Sequence, residues 1–352
     1  MTGAKPLPMV HGGNLDAAIA RFGGTRADWL DLSTGINPAP PVLPAMEPAD
    51  WSRLPEEVAE HSLIEAARAF YGARQEAGIV IAPGTQILIS LLPFVLDRGP
   101  VAILAPTYSE HAEAFGAAGH DVRRFGDVSE IPAEARLAVL VNPNNPDGRR
   151  FEPDVLLRLA DRFAEKGGLL IVDEAFADTE PEISLATHIG REGLLVYRSF
   201  GKFTGFAGLR LGFALATPRL AQQLATRLGP WAISTPALTL GETILTDGAM
   251  LYQLRRDIAA QSERLGRILA GMGLAIVGET ALFKTVSHPH APRLHQALCE
   301  RHILTRAFDY APTWLRFGNP RDDAAGERLE KALGESLAEI GPSPGDVSAE
   351  PG

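Results

Sequence analysis

The feature that most constrains the fold is a series of short apolar runs, each about as long as one β-strand and each followed by a polar or glycine-rich segment. Helical patterns lie between several of these runs. Near-continuous apolar strands that alternate with helices are typical of a mainly parallel sheet with helices on both faces. The sequence therefore predicts an α/β fold with such a sheet at its centre. The runs span residues 79–82, 101–105, 137–141, 169–172, 194–197 and 209–215.

The helices can be placed from their end signals. Ser62 and Glu65 have the spacing of a capping box, and Gly72 is a typical stop signal, so we expect a helix from 62 to 71. Further helical patterns follow along the chain, and one of them is unusually long. They span residues 84–96, 240–271, 294–300 and 323–340.

The length of 352 residues exceeds what one hydrophobic core usually supports, so we expect two domains. The pattern predicts a large domain over 48–238 and a smaller α/β domain built from 1–47 and 239–341. A disordered tail is expected over 342–352, which has few large apolar residues. Hydrophobic residues at 45% and charged residues at 22% are ordinary for a globular protein.

The charge and the cysteine content restrict partners and location. The chain has 33 Lys and Arg against 43 Asp and Glu, a formal net charge of −10, which gives no support for nucleic-acid binding. No apolar stretch reaches the ~18 residues of a membrane span, and the N-terminus does not read as a signal peptide. The single cysteine, Cys299, fits a reducing compartment. We therefore expect a cytoplasmic protein without nucleic-acid or membrane partners.

Ligands in an open α/β sheet bind beyond the carboxyl ends of the strands. Five of the predicted strands end in polar or glycine-rich segments. Any one of these segments could be an ordinary connection, but together they indicate a binding site at one edge of the sheet. The candidate residues are Gly84, Thr85, Gln86, Tyr108, Asn145, Asp173, Ser199 and Lys202, with Arg210 following.

Part of this set is suited to an anion. Gly84, Thr85 and Gln86 open a predicted helix, where free N–H groups and the helix dipole favour phosphate. The same three residues are also typical of a plain strand-to-helix turn. Ser199 would add a hydroxyl near the same edge, and Arg210 a guanidinium that can form two parallel hydrogen bonds to phosphate.

Another part is suited to covalent chemistry. Lys202 lies in an apolar, glycine-rich turn that would desolvate its ammonium and lower its pKa, as a lysine that bonds to a carbonyl carbon requires. Asp173 ends an apolar strand, so its carboxylate needs a cationic partner, either an arginine, a helix N-terminus or a protonated ring nitrogen. Glu174 follows directly, but strand neighbours point to opposite faces, which excludes a paired-carboxylate glycosidase site. No histidine spacing predicts a metal site.

In order and spacing, these motifs resemble those of the fold-type-I pyridoxal-phosphate enzymes, in the class I/II aminotransferase branch. Two further segments, 11–15 (HGGNL) and 31–38 (DLSTGINP), are similar to those of the threonine-phosphate decarboxylases. The histidinol-phosphate aminotransferases are the next most similar group. The resemblance extends over nearly the whole chain, to Arg316, and implies a fold-type-I transferase fold with pyridoxal 5'-phosphate as cofactor.

The resemblance also implies roles for the cofactor residues. Lys202 would hold pyridoxal phosphate covalently, and Asp173 would pair with the ring nitrogen and keep it protonated. Asn145 would hydrogen-bond the ring hydroxyl, and Tyr108 would stack on the ring face. The residues expected to hold the cofactor phosphate are Gly84, Thr85, Gln86, Ser199 and Arg210.

For the substrate, the resemblance implies that Arg316 binds the carboxylate. His11, Asn37 and Arg306 are candidates for the rest of the substrate, including its phosphate.

Two positions depart from the family pattern. Phe176 stands where many relatives have a tyrosine that hydrogen-bonds the ring hydroxyl. Leu54 stands where the transaminases have a tyrosine that reaches the cofactor phosphate of the neighbouring subunit. Both departures weaken an interpretation as a histidinol-phosphate aminotransferase and leave the core chemistry in place.

The resemblance implies decarboxylation of L-threonine O-3-phosphate to aminopropanol phosphate and CO₂, supplying the aminopropanol linker of cobalamin, by a homodimer. Transamination of histidinol phosphate or a related amino acid stays an alternative, because both reactions use the same residues. A non-catalytic binding protein with this fold is disfavoured by the intact Lys202, Asp173 and Arg210. All these ligands are anions, so local cations must outweigh the net negative charge at short range.

Overall fold

The structure is a computed structural model that describes residues 12–341, so His11 and the predicted tail at 342–352 lie outside the described residues. The α-helices are α1 (Leu15–Phe22), α2 (Pro48–Ser52), α3 (Glu57–Tyr71), α4 (Thr85–Leu91), α5 (Glu110–Ala117), α6 (Pro153–Ala164), α7 (Phe200–Thr204), α8 (Pro218–Leu228), α9 (Thr235–Thr246), α10 (Gly248–Gly271), α11 (Ala291–Glu300) and α12 (Asp323–Ile340). The strands are β1 (Leu30–Asp31), β2 (Gly78–Ala82), β3 (Pro100–Leu104), β4 (Asp121–Phe125), β5 (Leu137–Val141), β6 (Leu169–Asp173), β7 (Leu194–Ser199), β8 (Gly212–Ala216), β9 (Ala275–Thr280), β10 (Phe283–Ser287), β11 (Ile303–Leu304), β12 (Arg306–Ala307) and β13 (Trp314–Gly318).

The chain divides into two compact units. The larger unit is Ala39–Arg256, and the described part of the smaller unit comprises residues 12–38 and 257–341. The sequence placed these boundaries after residues 47 and 238, which put most of α9, from residue 239 onward, in the small domain. In the structure α9 packs on α3, and a Cβ at Gly241 would lie within 3.0 Å of side-chain atoms of Leu63 and Leu211. This close packing makes α9 part of the larger unit.

The larger unit is built on a seven-stranded sheet in the order β2-β8-β7-β6-β5-β3-β4. Strands β3 to β7 run parallel to one another, and β8 is antiparallel to both of its neighbours. The prediction of a mainly parallel α/β sheet is therefore confirmed. Every residue of β5 and β6 is buried, which explains why their sequences are almost continuously apolar.

Helix α3 corrects one prediction, because it begins at Glu57 rather than at Ser62. Ser62 and Glu65 therefore lie inside the helix and form no capping box. Glu57 and Glu60 in the first turn favour the earlier start, since negative side chains interact well with the positive end of the helix dipole. Gly72 ends the helix in the left-handed conformation with φ of +65°, as predicted.

Two other elements also differ from expectation. The helical run predicted over 240–271 is two helices, because Asp247 breaks it and its Oδ1 accepts a hydrogen bond from the Met250 N–H at 2.9 Å. Strand β4 was not predicted. It is an edge strand, and the exposed Arg123 and Arg124 interrupt the apolar pattern that marks the buried strands.

The smaller unit contains a four-stranded antiparallel sheet in the order β12-β13-β10-β9 and a parallel pair, β1 with β11. Its core is formed by apolar side chains from α10, α11, β13 and α12, which include Leu265, Leu294, Leu315, Phe317 and Leu333. Among the described residues, no helix is both long and apolar enough to cross a bilayer.

The segment after β1 lies directly on β13. The Gly318 N–H donates to the Leu32 carbonyl at 2.7 Å, and a Cβ at Gly318 would lie 2.3 Å from the Thr34 carbonyl oxygen. Only glycine permits this approach. The segment 31–38, which carries much of the family resemblance, is therefore fixed against the strand that carries Arg316.

Candidate active site

A cavity of about 160 Å³ opens in the larger unit beyond the carboxyl ends of β2, β3, β5, β6 and β7. Its lining includes all nine residues that the sequence singled out for a cofactor, so the structure brings together side chains that lie up to 126 positions apart in sequence. These residues are Gly84, Thr85, Gln86, Tyr108, Asn145, Asp173, Ser199, Lys202 and Arg210.

A larger cavity of about 290 Å³ lies in the smaller unit, between α1 and α11, and Arg21, His295 and Trp314 are part of its lining. None of the described candidate residues lines it. The chemistry of the side chains therefore selects the smaller cavity as the candidate active site.

Two close backbone approaches shape one end of the cavity. Gly84 has φ of +82°, and a Cβ there would lie 2.6 Å from Arg210 Nη2. A Cβ at Gly212 would lie 2.5 Å from the Thr85 nitrogen. The two glycines thus let the Arg210 guanidinium and the start of α4 lie close together. Ser199 lies at the end of β7 and lines the same cavity.

Arg210 adopts an uncommon backbone conformation for a residue with a side chain. Its φ is +55° and its ψ is +61°, in the left-handed region, and its Nη1 donates to the Ala207 carbonyl at 3.2 Å. Such a conformation costs about 1–3 kcal/mol and persists where the surroundings determine it. It turns the guanidinium back over Gly84.

Asp173 is the last residue of β6 and is 3% exposed. Its Oδ1 accepts a hydrogen bond from the Ala175 N–H at 3.0 Å, and its Oδ2 lies 3.0 Å from Nε2 of His111. His111 is 1% exposed and stacks against Tyr197 with an interplanar angle of 21°. The carboxylate is therefore held on both oxygens, and its partner in the protein is a histidine rather than the arginine that the sequence left open.

Glu174 points to the opposite side of the sheet, as strand geometry requires. Its Oε2 lies 2.5 Å from Arg198 Nη1, its Oε1 accepts from the Leu185 N–H at 2.7 Å, and Ser184 also donates to it. Arg198 forms a second buried ion pair with Asp178. Burial alone would lower the pKa of Arg198, but the two carboxylates outweigh it and raise that pKa. This network belongs to the interior and not to the cavity.

Lys202 is half-buried on α7, and its Nζ lies 5.9 Å from the ring centroid of Phe176. Gly201 allows the helix to pack tightly, since a Cβ there would lie 2.6 Å from the Ala207 Cα. The amine thus lies beside an aromatic ring in a cavity that also contains Asp173. The sequence predicted an apolar setting for this lysine, and the aromatic ring beside its amine is that of Phe176.

Tyr108 takes part in a chain of hydrogen bonds. Its hydroxyl donates to Gln86 Oε1 at 2.9 Å, and Gln86 Nε2 donates to Glu110 Oε2 at 3.0 Å. Burial, together with the nearby carboxylates of Glu110 and Asp173, raises the pKa of Tyr108. The phenol therefore stays protonated at neutral pH.

Asn145 lies in a loop that its neighbour anchors. Asn144 is 1% exposed and donates to the Pro106 carbonyl at 2.8 Å and to Asp147 Oδ1 at 2.7 Å. Its Oδ1 accepts from the Thr107 hydroxyl at 2.7 Å. These contacts fasten the loop after β5 to the loop after β3, so Asn145 and Tyr108 are held in one local framework.

The predicted substrate residues that the structure describes lie in the smaller unit. Arg306 and Arg316 are directly opposite each other on β12 and β13, and Arg316 Nη2 donates to the Ser33 carbonyl at 2.8 Å. Burial, and next the charge of Arg306, lowers the pKa of Arg316 to about 10. Burial also lowers the pKa of Arg306. Asn37 is 1% exposed. Two opposed guanidiniums make a favourable environment for an anion.

The sequence analysis missed His111 and Glu110 as site residues. His111 was considered only as a metal ligand, and Glu110 was not considered. The signal that could have found them is their spacing, because both follow Tyr108 within three positions at the start of α5. A helix that begins beside a strand end directs its first turn toward the ligand edge of the sheet.

Comparison with known proteins decides the family. The sequence profile described as aminotransferase class I and II matches residues 28–329. The chain belongs to this family. Pyridoxal phosphate is the cofactor of these enzymes, and the residues of the cavity fit it. Gly84 leaves room for the Arg210 guanidinium, the Asp173 carboxylate is held on both oxygens, and Lys202 lines the same cavity.

Relatives within the family are closely similar along the whole chain. Threonine-phosphate decarboxylase of Sinorhizobium sp is 47% identical over 328 residues, which cover 93% of this chain and 98% of the relative. The threonine-phosphate decarboxylase of Pseudomonas aeruginosa is 45% identical over 325 residues, covering 92% and 96%. These similarities confirm the resemblance inferred from the motifs.

A solved structure confirms the fold. Histidinol-phosphate aminotransferase from Sinorhizobium meliloti, in complex with pyridoxal-5'-phosphate, has a TM-score of 0.78 and covers 97% of this chain and 99% of its own. The sequence identity is 23%, so this similarity establishes the fold-type-I architecture alone.

Proposed function

We propose that the protein is a pyridoxal-phosphate-dependent carboxy-lyase that converts L-threonine O-3-phosphate to (R)-1-amino-2-propanol O-2-phosphate and CO₂. The observation that carries this proposal is the near full-length similarity to threonine-phosphate decarboxylases, combined with one cavity that contains every residue expected to hold the cofactor. The product would supply the aminopropanol linker of cobalamin. The reaction is assigned to the cytoplasm, in keeping with a chain whose only cysteine is Cys299.

The proposed roles of the cofactor residues follow from their positions. Lys202 would hold the cofactor covalently, and its amine, when free, would be able to carry a proton. Asp173 pairs with the ring nitrogen, and its contacts to His111 and Ala175 keep the carboxylate in place. When bound, pyridoxal phosphate supplies an electron sink for the electron pair of the bond broken at the substrate Cα.

The remaining cofactor residues orient the group. Asn145 is proposed to hydrogen-bond the ring hydroxyl, and Tyr108 to stack on the ring. We assign the cofactor phosphate to the part of the cavity where the Arg210 guanidinium lies close to Gly84. The N–H groups of a guanidinium can form two parallel hydrogen bonds to phosphate oxygens. The residues of this proposed phosphate site are Gly84, Thr85, Gln86, Ser199 and Arg210.

For the substrate, we assign the carboxylate to Arg316 and the rest of the molecule, including its phosphate, to Arg306, Asn37 and His11. The pairing of Arg306 with Arg316 on neighbouring strands supports an anionic substrate, because it places two guanidinium-bearing residues side by side. The way these residues orient the substrate would decide which bond at its Cα breaks. A decarboxylase would have to orient the substrate so that the bond to the carboxylate is the one that breaks.

The proposed assembly is a homodimer. The larger unit exposes a group of large apolar side chains near α2 and the start of α3, which a second copy would cover. Val42 is 92% exposed, Val58 75% and Trp51 69%. Leu54, 63% exposed, stands where the transaminases have the tyrosine that reaches the neighbouring subunit.

The proposal is tested by incubating the cofactor-loaded protein with threonine phosphate and measuring CO₂ and aminopropanol phosphate. We expect both products in equal amounts, without any requirement for a keto acid. Lys202→Ala is the control and should abolish product formation and the visible absorbance of the bound cofactor. Turnover of histidinol phosphate that depends on a keto acid, without CO₂ from threonine phosphate, would identify a transaminase instead.

A further inference from the structure

Two polar side chains, Gln86 and Glu110, are linked to Tyr108 by hydrogen bonds. Gln86 lies in the first turn of α4, and Glu110 is the first residue of α5. The hydrogen bonds from Tyr108 to Gln86 and from Gln86 to Glu110, at 2.9 and 3.0 Å, connect both helices to the aromatic ring. Tyr108 and Gln86 line the cavity, whereas Glu110 does not.

Glu110 determines which group donates and which accepts in these two hydrogen bonds. An ionised carboxylate accepts hydrogen bonds and donates none, so Gln86 must turn its amide NH₂ toward Glu110 and its carbonyl oxygen toward Tyr108. The Tyr108 hydroxyl then donates its proton to Gln86. It can therefore offer only lone pairs to a group in the cavity.

We propose that Glu110 is a positioning residue that acts through Gln86 to hold the ring of Tyr108 and the direction of its hydroxyl, and thereby tightens cofactor binding. This inference deepens the proposed function.

A purely structural role for Glu110 would look different. A carboxylate in the first turn of a helix stabilises the helix through its dipole. Glu113 shares this property, because it lies in the same first turn of α5, but it is exposed. Glu113→Gln therefore removes the same charge from the same helix and serves as the matched control.

The test is a double-mutant cycle on cofactor affinity, measured by titrating the apo-protein with pyridoxal phosphate and following visible absorbance. Glu110→Gln keeps the shape of the side chain but allows either orientation of Gln86. We expect it to weaken cofactor binding by about three- to tenfold, the value of one hydrogen bond between partly buried groups. In a Tyr108→Phe background the same change should have less than about a twofold effect on cofactor affinity. The Tyr108 hydroxyl, through which Glu110 is proposed to act, is then already absent.

Glu113→Gln should leave the affinity unchanged in both backgrounds. Gln86→Met breaks these hydrogen bonds at their middle and also removes a residue of the proposed phosphate site, so it should weaken binding at least as much as Glu110→Gln. Adding Glu110→Gln to Gln86→Met should cause no further loss. An equal loss from Glu110→Gln in both backgrounds, or no loss in either, would overturn the proposal. The measurement uses no substrate, so its outcome does not depend on whether threonine phosphate is decarboxylated.

Discussion

Replacement of His111 by phenylalanine tests whether Asp173 depends on its buried partner. His111 Nε2 lies 3.0 Å from Asp173 Oδ2, and the two rings of His111 and Tyr197 stack with centroids 6.4 Å apart. Phenylalanine preserves the ring and its packing but removes the polar contact. Asp173 then keeps the hydrogen bond from the Ala175 N–H.

The magnitude follows from the type of contact. A hydrogen bond to a charged group in a protein contributes about 1.5–3 kcal/mol, which corresponds to about 10- to 150-fold in an equilibrium or a rate. The carboxylate has to stay ionised and oriented to pair with a protonated ring nitrogen. We therefore expect His111→Phe to lower kcat/KM for CO₂ release within that range and to weaken cofactor binding.

His120→Phe is the matched control, because His120 is also buried in the larger unit and its Nε2 lies 2.9 Å from the Pro93 carbonyl, away from the cavity residues. Both variants should lose thermal stability. Only His111→Phe should lose activity and cofactor affinity. Equal loss of activity in the two variants, or wild-type activity in His111→Phe, would refute the role assigned to this contact.

Three further predictions concern the phosphate end, the buried ion pairs and the pH dependence of stability. Gly84→Ala should weaken cofactor binding by about tenfold or more, measured by titration of the apo-protein, because its φ is +82° and the new Cβ would meet Arg210. Arg198→Met should lower the free energy of unfolding in denaturant by about 3–5 kcal/mol, because two buried carboxylates lose their cation. Burial lowers the pKa of His295 to about 4, so the unfolded chain binds the proton first as the pH falls below 6.5. Stability should therefore fall between pH 6.5 and 4, and His295→Gln should flatten that dependence in thermal melts.

Each of these changes has a control that lacks the feature in question. Gly99→Ala introduces a Cβ with nothing within 4 Å, and Arg123→Met breaks an ion pair between exposed side chains. His61→Gln removes an exposed histidine. If a control matches its test variant in affinity, unfolding free energy or pH dependence, the cause assigned to that test variant is wrong.

The sequence predicted which residues line the cavity better than it predicted the ends of the elements. Gly84, Asp173 and Lys202 could be found because each follows an apolar strand, and the edge of a parallel sheet collects such positions regardless of where the strands begin. The start of α3 could not be placed by a capping box, since Ser62 and Glu65 also occur inside helices. The break at Asp247 was hidden because the apolar pattern continues through it.

Contacts between side chains that lie far apart in the sequence could not be predicted from it. Asp173 was expected to need a partner, but His111 lies 62 positions earlier, on a helix whose packing is set by the whole sheet. The chain from Tyr108 through Gln86 to Glu110 joins two helices in the same way. Residue type and spacing indicate which groups can bind a cofactor. Tertiary packing decides which of them support one another.

Two adjacent carboxylates at the end of β6 lie in different environments, one in the cavity and one in the protein interior. Asp173 faces the cavity, whereas Glu174 is buried against Arg198, and burial raises the pKa of Glu174 despite that cation. A shift of β6 by one residue would exchange the two environments, placing a longer side chain in the cavity and leaving Arg198 without its partner. Pairing with β5 on one side and β7 on the other, from Leu170 to Asp173, prevents this shift. The central position of β6 is thus a condition for the chemistry at its end as well as for the core.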